Sequence, residues 1–450
     1  MFAILVKKEI LNNILSFRFA VTFLLFFMLI SGSMVMMAAN HAKQVHDYFN
    51  LTAAYRQRVE QMRTFQEFDI FGMTSRRKPN PLSVVAMGLE PDMSRSVTNS
   101  LWQEIEIGGS PYANPLFALF STPDATYIVS IIVSLLAVLF VFDAVSGEKE
   151  EETLKLVLSN AVPRDAILMG KCVGALACLC ASFVISLGAG LVAARVISSL
   201  VFTPTEWLRI GALILVSLLY ISSFLMLGLF ISASTQRSGT SLMISLLAWV
   251  ILVLGVPNLV PVVARQIVPL PSMARLAGEQ RAIEEEEWDN VRQRLRRDQS
   301  REERRQLITE ARQAIERRLG VLGANYENRF IQQAALAKMI SRISPSACFT
   351  YASTTLALTG VDTYTGFVRY VYLDFRSQFE RRIPELRGDR GSQESRVGAI
   401  DFEKLPTFEP KSDTIQLSFK KSLTDIGLLC AYSTMFFLGA FIKFLRYDVK

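Results

Sequence analysis

The sequence has few residues that could hold a metal or form a disulfide framework. Its 450 residues include only two histidines, His41 and His46, and five cysteines, most of them in apolar segments. Two histidines cannot form a typical zinc or haem site without other ligands, and a cysteine in an apolar segment behaves as a small hydrophobic residue. We therefore expect no metal site and no disulfide framework.

Charged residues are scarce as well. They make up 20% of the chain, whereas hydrophobic residues make up 51%, and a soluble protein would carry about a quarter charged residues. The apolar residues cluster in blocks of about twenty, the length needed to cross a hydrocarbon core of about 30 Å. This excludes a single soluble globule and favours a membrane protein with several spans. The net charge of +7 fits a protein that faces anionic lipid.

The apolar blocks predict six transmembrane helices and an all-α membrane protein. The predicted spans are 19–40, 125–145, 172–194, 210–233, 238–264 and 425–442. Two long insertions separate them, at 41–124 and 265–424. The fold of the first insertion is not predicted by any periodicity in the sequence.

Lysines and arginines in the short flanking segments predict the orientation. They lie in residues 1–18, in the segment 146–171, at Arg237 and in the tail 443–450. Short loops on the cytoplasmic side carry an excess of these residues, so we expect both termini in the cytoplasm and both insertions outside it. Long loops translocate largely regardless of charge, so the arginines of the second insertion do not contradict this.

The second insertion has the pattern of a long helical hairpin. Ser300 and Glu303 form a capping box, and a stripe of apolar residues at helical spacing follows, with a predicted end near Ser344-Pro345. A shorter helix is predicted within 274–298. One interpretation is a solvated hairpin; the other is a docking surface, at Ile308, Ile315, Leu319 and Leu322, for an extracytoplasmic (periplasmic) partner or a second copy. Neighbouring glutamates nearly cancel the arginines, so we expect no nucleic acid partner.

The segment between the second and third spans has the most informative motif. An acidic cluster leads into a short amphipathic helix, then into a turn ending in Pro163-Arg164, and Gly170-Lys171 follows before re-entry into the membrane. The residues of interest are Glu148, Glu150, Glu151, Glu152, Thr153, Leu154, Val157, Leu158, Pro163 and Arg164. A charged membrane-flanking loop without further function remains the alternative.

This motif resembles the signature of permease subunits of type-2 ATP-binding-cassette (ABC) exporters. Residues 7–17 likewise resemble the elbow helix that precedes their first span. The large insertions and the turn at 343–346 resemble the subgroup that includes the permeases of nitrous-oxide-reductase maturation and of gliding motility. The resemblance implies a permease in the bacterial inner membrane, paired with a second or homologous permease copy. Two cytoplasmic ATPase subunits would contact the residues of the motif.

The sequence itself gives a physical reason for a separate ATPase. A nucleotide-binding Gly-x-x-x-x-Gly-Lys-Ser/Thr motif is absent, because Gly170-Lys171-Cys172 lacks the upstream glycine and the hydroxyl. We therefore expect this chain to bind no cofactor, with ATP and Mg²⁺ on the partner ATPase.

Three functions remain after this reasoning. The apolar spans favour export of an amphipathic, lipid-like or peptide substrate. In the alternative, mechanotransmission, the ATPase drives the outside domains to act on a partner and nothing is transported. An intramembrane enzyme is disfavoured, because the predicted spans contain no histidine and no pair of carboxylates.

Overall fold

The computed structural model describes residues 2–61, 73–91, 93, 96–99, 106–108, 123–159, 163–198, 200–295, 300–375, 378 and 413–447. The chain forms two compact units, one of Met1–Leu254 with Ser344–Lys450 and one of Gly255–Ile343. The all-α prediction is confirmed. The first seven helices in chain order are α1 (Phe2–Ile14), α2 (Phe17–Gln61), α3 (Ala125–Glu150), α4 (Thr153–Ser159), α5 (Arg164–Ser198), α6 (Pro204–Ser234) and α7 (Ser238–Ile267).

Six helices within the described residues are long and apolar enough to cross a membrane. They are α2, α3, α5, α6, α7 and the last helix of the chain, Ile415–Leu445. Each contains nearly all of the corresponding predicted span. Helices α5 and α6 and the last helix begin several residues before their predicted spans, because N-cap residues and not hydropathy set where a helix begins. Thr203, for example, forms a capping box with Glu206 ahead of Pro204.

Three of the long helices contain a π-helical turn. These turns are Phe27–Ser31 in α2, Val129–Val133 in α3 and Val250–Gly255 in α7. Such turns interrupt the regular pattern of backbone hydrogen bonds and make carbonyl groups accessible to side chains. The Leu252 carbonyl in α7, for instance, accepts a hydrogen bond from the Ser344 hydroxyl.

The first insertion continues the first span and then forms a small sheet. Helix α2 extends to Gln61, well beyond the predicted end of the span at residue 40. Strands β1 (Met73–Arg76), β2 (Ser96–Asn99) and β3 (Glu106–Gly108) pair antiparallel in that order. Asp124 closes the insertion, since its carboxylate accepts hydrogen bonds from the amides of Met87 and Tyr127. Burial raises the pKa of this carboxyl group.

The second unit contains the predicted hairpin, formed by α8 (Met273–Arg294) and α9 (Arg301–Ser341). The Ser300–Glu303 capping box is confirmed, with reciprocal hydrogen bonds of 2.8 and 3.2 Å. Helix α9 has 41 residues, so it is about 60 Å long. The Arg318 guanidinium bonds to Glu286 and Glu287 of α8, at 2.8 Å each, and these carboxylates raise its pKa.

The apolar stripe of α9 packs against other residues of this unit. Ile315 is buried, together with Ala311 and with Val291 of α8, whereas Ile308, Leu319 and Leu322 are half-buried. Of the four positions of the predicted docking surface, Ile315 is thus buried and the other three are partly covered. The arrangement fits the interpretation of the stripe as hairpin packing.

The chain returns to the first unit through α10 (Pro345–Leu356), followed by α11 (Val361–Arg369), and ends with α12 (Ile415–Leu445). Nearly all residues of α10 are buried. Phe349 stacks on Tyr220 of α6 with ring centroids 4.4 Å apart, and Ser346 hydrogen-bonds to Ser130 of α3 at 2.9 Å. Helix α10, which falls within the predicted domain 265–424, thus packs among the membrane-length helices of the first unit. Its apolar stretch was too short to be predicted as a span.

Candidate functional site

The connecting segment, residues 142–164, joins α3 to α5, and its first turn is fixed to α6. Helical structure in α3 is interrupted by a turn at residues 142–145. The amides of Val145 and Ser146 both donate to the Ser232 hydroxyl near the end of α6, at 3.0 Å each. Val145, Ser146 and Ser232 are fully buried. The two helices are thus joined at this end by hydrogen bonds that water does not reach.

The acidic cluster divides into residues bound within the chain and residues that are exposed. Glu148 accepts a hydrogen bond of 2.7 Å from Lys171 of α5. Glu150 accepts one of 2.9 Å from the backbone amide of Ser238, which starts α7. Glu151 and Glu152 are exposed. Glu150 is exposed too, but its carboxylate is held by the hydrogen bond from Ser238.

Lys171 also connects the segment to the N-terminal helix. Its ammonium lies 3.6 Å from Glu9 of α1, and its side chain is only 10% exposed. Gly174, one turn further along α5, allows this approach, because a Cβ there would lie 2.7 Å from the Cβ of Glu9. The Gly170-Lys171 pair of the motif thus holds α1 and the connecting segment on the same helix end.

Two further cations fix the segment to the end of the chain. The Lys149 ammonium donates to the carbonyls of Ala233 and Thr235, at 2.6 and 3.0 Å, and lies 4.9 Å from the centre of the Tyr447 ring. Arg164 donates to the carbonyls of Leu445 and Tyr447. Cations near carbonyls at a helix C-terminus are favourable, because the last carbonyls of a helix lack intrahelical partners.

The first membrane-length helix, α2, contacts the connecting segment through Arg18 near its start. Its guanidinium bonds to both carboxylate oxygens of Asp143 at 2.7 Å and lies 5.3 Å from the centre of the Phe142 ring. The connecting segment therefore makes polar contacts with the ends of all the other five membrane-length helices, α2, α5, α6, α7 and α12, and it continues from α3. We call this end of the first unit the terminal face.

The short helix α4 presents one apolar side chain outward and buries another. Leu154 is fully buried in the core of this chain, whereas Leu156 is 69% exposed. Glu152 precedes the helix with a positive φ of 59°, and Thr153 donates to the Glu148 carbonyl. Leu154, which the resemblance places among the residues that contact an ATPase, thus packs inside this chain. The side chains of Val157 and Leu158, and residues 160–162, lie outside the described residues.

Pro163 is exposed and Arg164 begins α5.

Sequence reasoning did not identify Arg18, Lys149 or Ser232 as members of this site. Lys149 stands alone within a run of glutamates, and that isolated opposite charge was the available signal. Ser232 gave no signal, because buried serines recur throughout the helices.

Buried charged groups also occur away from the terminal face. Arg209 of α6 is buried and donates to the Leu356 carbonyl, the Ser418 hydroxyl and the Asp413 carbonyl at 2.7–3.0 Å. Asp425 of α12 is fully buried. Arg209 lies one residue before its predicted span and Asp425 is the first residue of its predicted span. Among the residues that the structure describes, no three metal-ligating side chains cluster.

Comparison with known protein families gives a match over almost the whole chain. The family model described as ABC-2 family transporter protein matches residues 3–449. Among curated proteins, a search finds none that matches the chain.

Proposed function

We propose that this chain, which belongs to the ABC-2 transporter family, is the permease subunit of an exporter that moves an amphipathic substrate across the membrane. The family makes it a multi-pass membrane protein and a membrane component of an ABC transporter, and it implies an ABC ATPase subunit as partner. The finer proposal is a bacterial inner-membrane exporter with both termini in the cytoplasm. Two copies of the permease, or one copy and a homologue, would pair with two ATPase subunits.

The connecting segment is the single observation that carries this proposal. An ATPase that moves this segment would pull on the ends of six helices together, because the polar contacts of Asp143, Glu148, Lys149, Glu150 and Arg164 join it to all of them. Rigid-body motion of packed helices is a common way to transmit such a displacement. A loop that only flanked the membrane would not need these contacts.

The exposed surface of the segment suits a protein partner. Leu156 offers an apolar side chain, and Glu151 and Glu152 offer charges beside it. Amphipathic helices commonly bind by inserting an apolar side chain into a groove, with charges at the rim. We propose that α4 binds the ATPase in this way.

An amphipathic, lipid-like or peptide substrate is the class that the helices favour. The buried surfaces between the helices are mostly apolar, and their polar residues are largely serines that bond to nearby backbone carbonyls. Such surfaces offer little to a strongly charged ion or a sugar. The exceptions among the described residues of the membrane-length helices are His41, Lys149, Arg209 and Asp425. Lys149 and Arg209 already donate hydrogen bonds within the chain.

Purification of the tagged chain from its native membranes tests the proposal. We expect an ATP-binding subunit to co-purify in comparable amount and the complex to hydrolyse ATP. If no nucleotide-hydrolysing subunit accompanies the chain in mild detergent or in lipid nanodiscs, the proposal fails.

Mechanotransmission is the second candidate, and the hairpin favours it. Residues Gly255–Ile343 form a compact unit of their own with a 41-residue helix, which could act on a partner outside the cytoplasm. Shortening α8 and α9 by matched helical turns distinguishes the two functions. An exporter should keep ATP-driven flux in this variant, whereas a mechanotransmission device should hydrolyse ATP and lose its biological output.

A further inference from the structure

The last three turns of α9 have a different surface from the rest of that helix. Between residues 331 and 343, the exposed side chains are Ile331, Gln332, Ala335, Met339 and Ile343. None of them is charged. Lys338 and Arg342, the only charged residues in this stretch, are half-buried. In contrast, the part of α9 before residue 330 exposes many arginines and glutamates.

The exposed apolar residues follow a helical stripe. Ile331, Ala335 and Met339 are spaced by four residues, so they lie on one side of α9, and Ile343 is exposed in the turn that follows the helix. Met339 is 67% exposed and Ile343 is 61% exposed. The opposite side of this part of α9 packs along the second half of α7, where Val260 and Ala264 are buried, and Gln333 donates to the Val268 carbonyl at 2.7 Å.

The position of this stripe follows from α7. Gln333 donates to the carbonyl of Val268, directly after the last residue of that helix, and the last turns of α9 pack along the residues of α7 after Gly255. Residues 334–343 therefore lie beside the second half of a helix that is long and apolar enough to span a membrane. That half of α7 exposes Leu259, Val262, Val263 and Ile267.

We propose that the stripe Ile331–Ala335–Met339, with Ile343 directly after it, contacts lipid acyl chains. The occupant is lipid because the stripe belongs to a helix that packs on a membrane-length helix, whose second half also exposes apolar side chains, and because the stripe carries no exposed charge. In water, an exposed apolar surface of this kind would be costly. The C-terminal turns of α9 are therefore a lipid-binding element, and the part of α9 before residue 330 is not.

Spin-label accessibility in lipid nanodiscs tests the proposal. Met339→Cys and Val321→Cys form a matched pair, because both side chains are apolar, lie on α9 and are 67% and 62% exposed. Each is introduced into a chain whose five native cysteines are replaced by serine or alanine. We expect the label at 339 to collide frequently with oxygen and several-fold less with a water-soluble nickel reagent than the label at 321.

Two results would overturn the proposal. Equal collision with the nickel reagent at both positions would place Met339 in water. Low collision with both reagents at 339 would mean that protein, such as a second copy, covers the stripe. If the cysteine-free chain does not fold, Met339→Trp and Val321→Trp are each compared with the native chain and its four tryptophans. Brominated acyl chains should quench the fluorescence that the tryptophan at 339 adds and not the fluorescence that the tryptophan at 321 adds. Equal quenching of the two would contradict the proposal.

Discussion

Leu154 and Leu156 stand two residues apart in α4, and the structure gives them opposite environments. A short amphipathic pattern predicts that a helix has an apolar side, but it does not predict whether that side faces the rest of the chain or a partner. Here Leu154 is buried in the core, and Leu156 is exposed. The sequence therefore predicted a short amphipathic helix, whereas the side of this helix that is available for docking depends on contacts with residues distant in sequence.

Substitution of Leu156 tests the docking surface. Leu156→Asp should weaken ATPase binding by about 2 kcal/mol, roughly thirtyfold, because a charge would have to be desolvated in the groove. Glu151→Ala with Glu152→Ala should have a smaller effect, about 0–1 kcal/mol for each exposed charge. Co-purification of the ATPase at low and high salt measures both.

Leu154→Ala is the control for this experiment. It should lower the stability of the chain by about 2–4 kcal/mol without a direct effect on binding, because it leaves a cavity in the core. Retention of the ATPase by Leu156→Asp at the wild-type level would remove α4 as the docking site.

Lys171 carries a second prediction at this scale. Lys171→Glu would place three carboxylates close together and should lower the stability of the chain by about 2 kcal/mol, since hydrogen bonds to charged groups contribute about this much. Glu148→Lys in the same chain should restore part of the loss. Thermal unfolding in nanodiscs measures the stability of both variants. If the double variant is no more stable than Lys171→Glu alone, residues 148 and 171 do not interact.

At the scale of single elements, the hairpin was the most predictable part of the molecule. Its capping box and its long apolar stripe are local features, and local features survive folding. Helix α10 was not predicted as part of the bundle, because its burial depends on Tyr220, Ser130 and Leu252, which are distant in sequence. The strands of the first insertion are only three or four residues long and also gave no pattern.

The hairpin prediction can be tested with a matched pair on α9. Ile315→Asp places a charge at a buried position and should destabilise the hairpin by about 3 kcal/mol. Val321→Asp, six residues away at an exposed position, should have little effect. Hydrogen exchange of the α8 and α9 amides measures the difference, and equal protection in the two variants would mean that the stripe is not packed.

At the scale of the whole molecule, the six spans follow from the sequence because lipid imposes length and apolarity on each of them separately. Their contacts with one another do not follow, since apolar residues of similar size are interchangeable in a hydropathy pattern. The glycines show this limit: Gly190 and Gly228 meet Met34 and Val141 closely, whereas Gly188 and Gly239 face open space.

The orientation of the molecule is a prediction at this scale. Cysteines introduced at Lys8 and Lys450 should be protected from a membrane-impermeant thiol reagent in intact cells, because positive charge keeps these flanks in the cytoplasm. A cysteine at Val321 should be labelled. The reverse pattern would invert the topology and with it the assignment of the terminal face to the ATPase.

ATP-dependent transfer of a fluorescent amphiphile, in proteoliposomes that contain the chain and its co-purified ATPase, tests the central claim most directly. Transfer should require ATP, should exceed that of protein-free liposomes, and should disappear with Leu156→Asp while the chain remains in the bilayer. A complex that hydrolyses ATP at the full rate and transfers none of a series of lipid-like and peptide amphiphiles would contradict export.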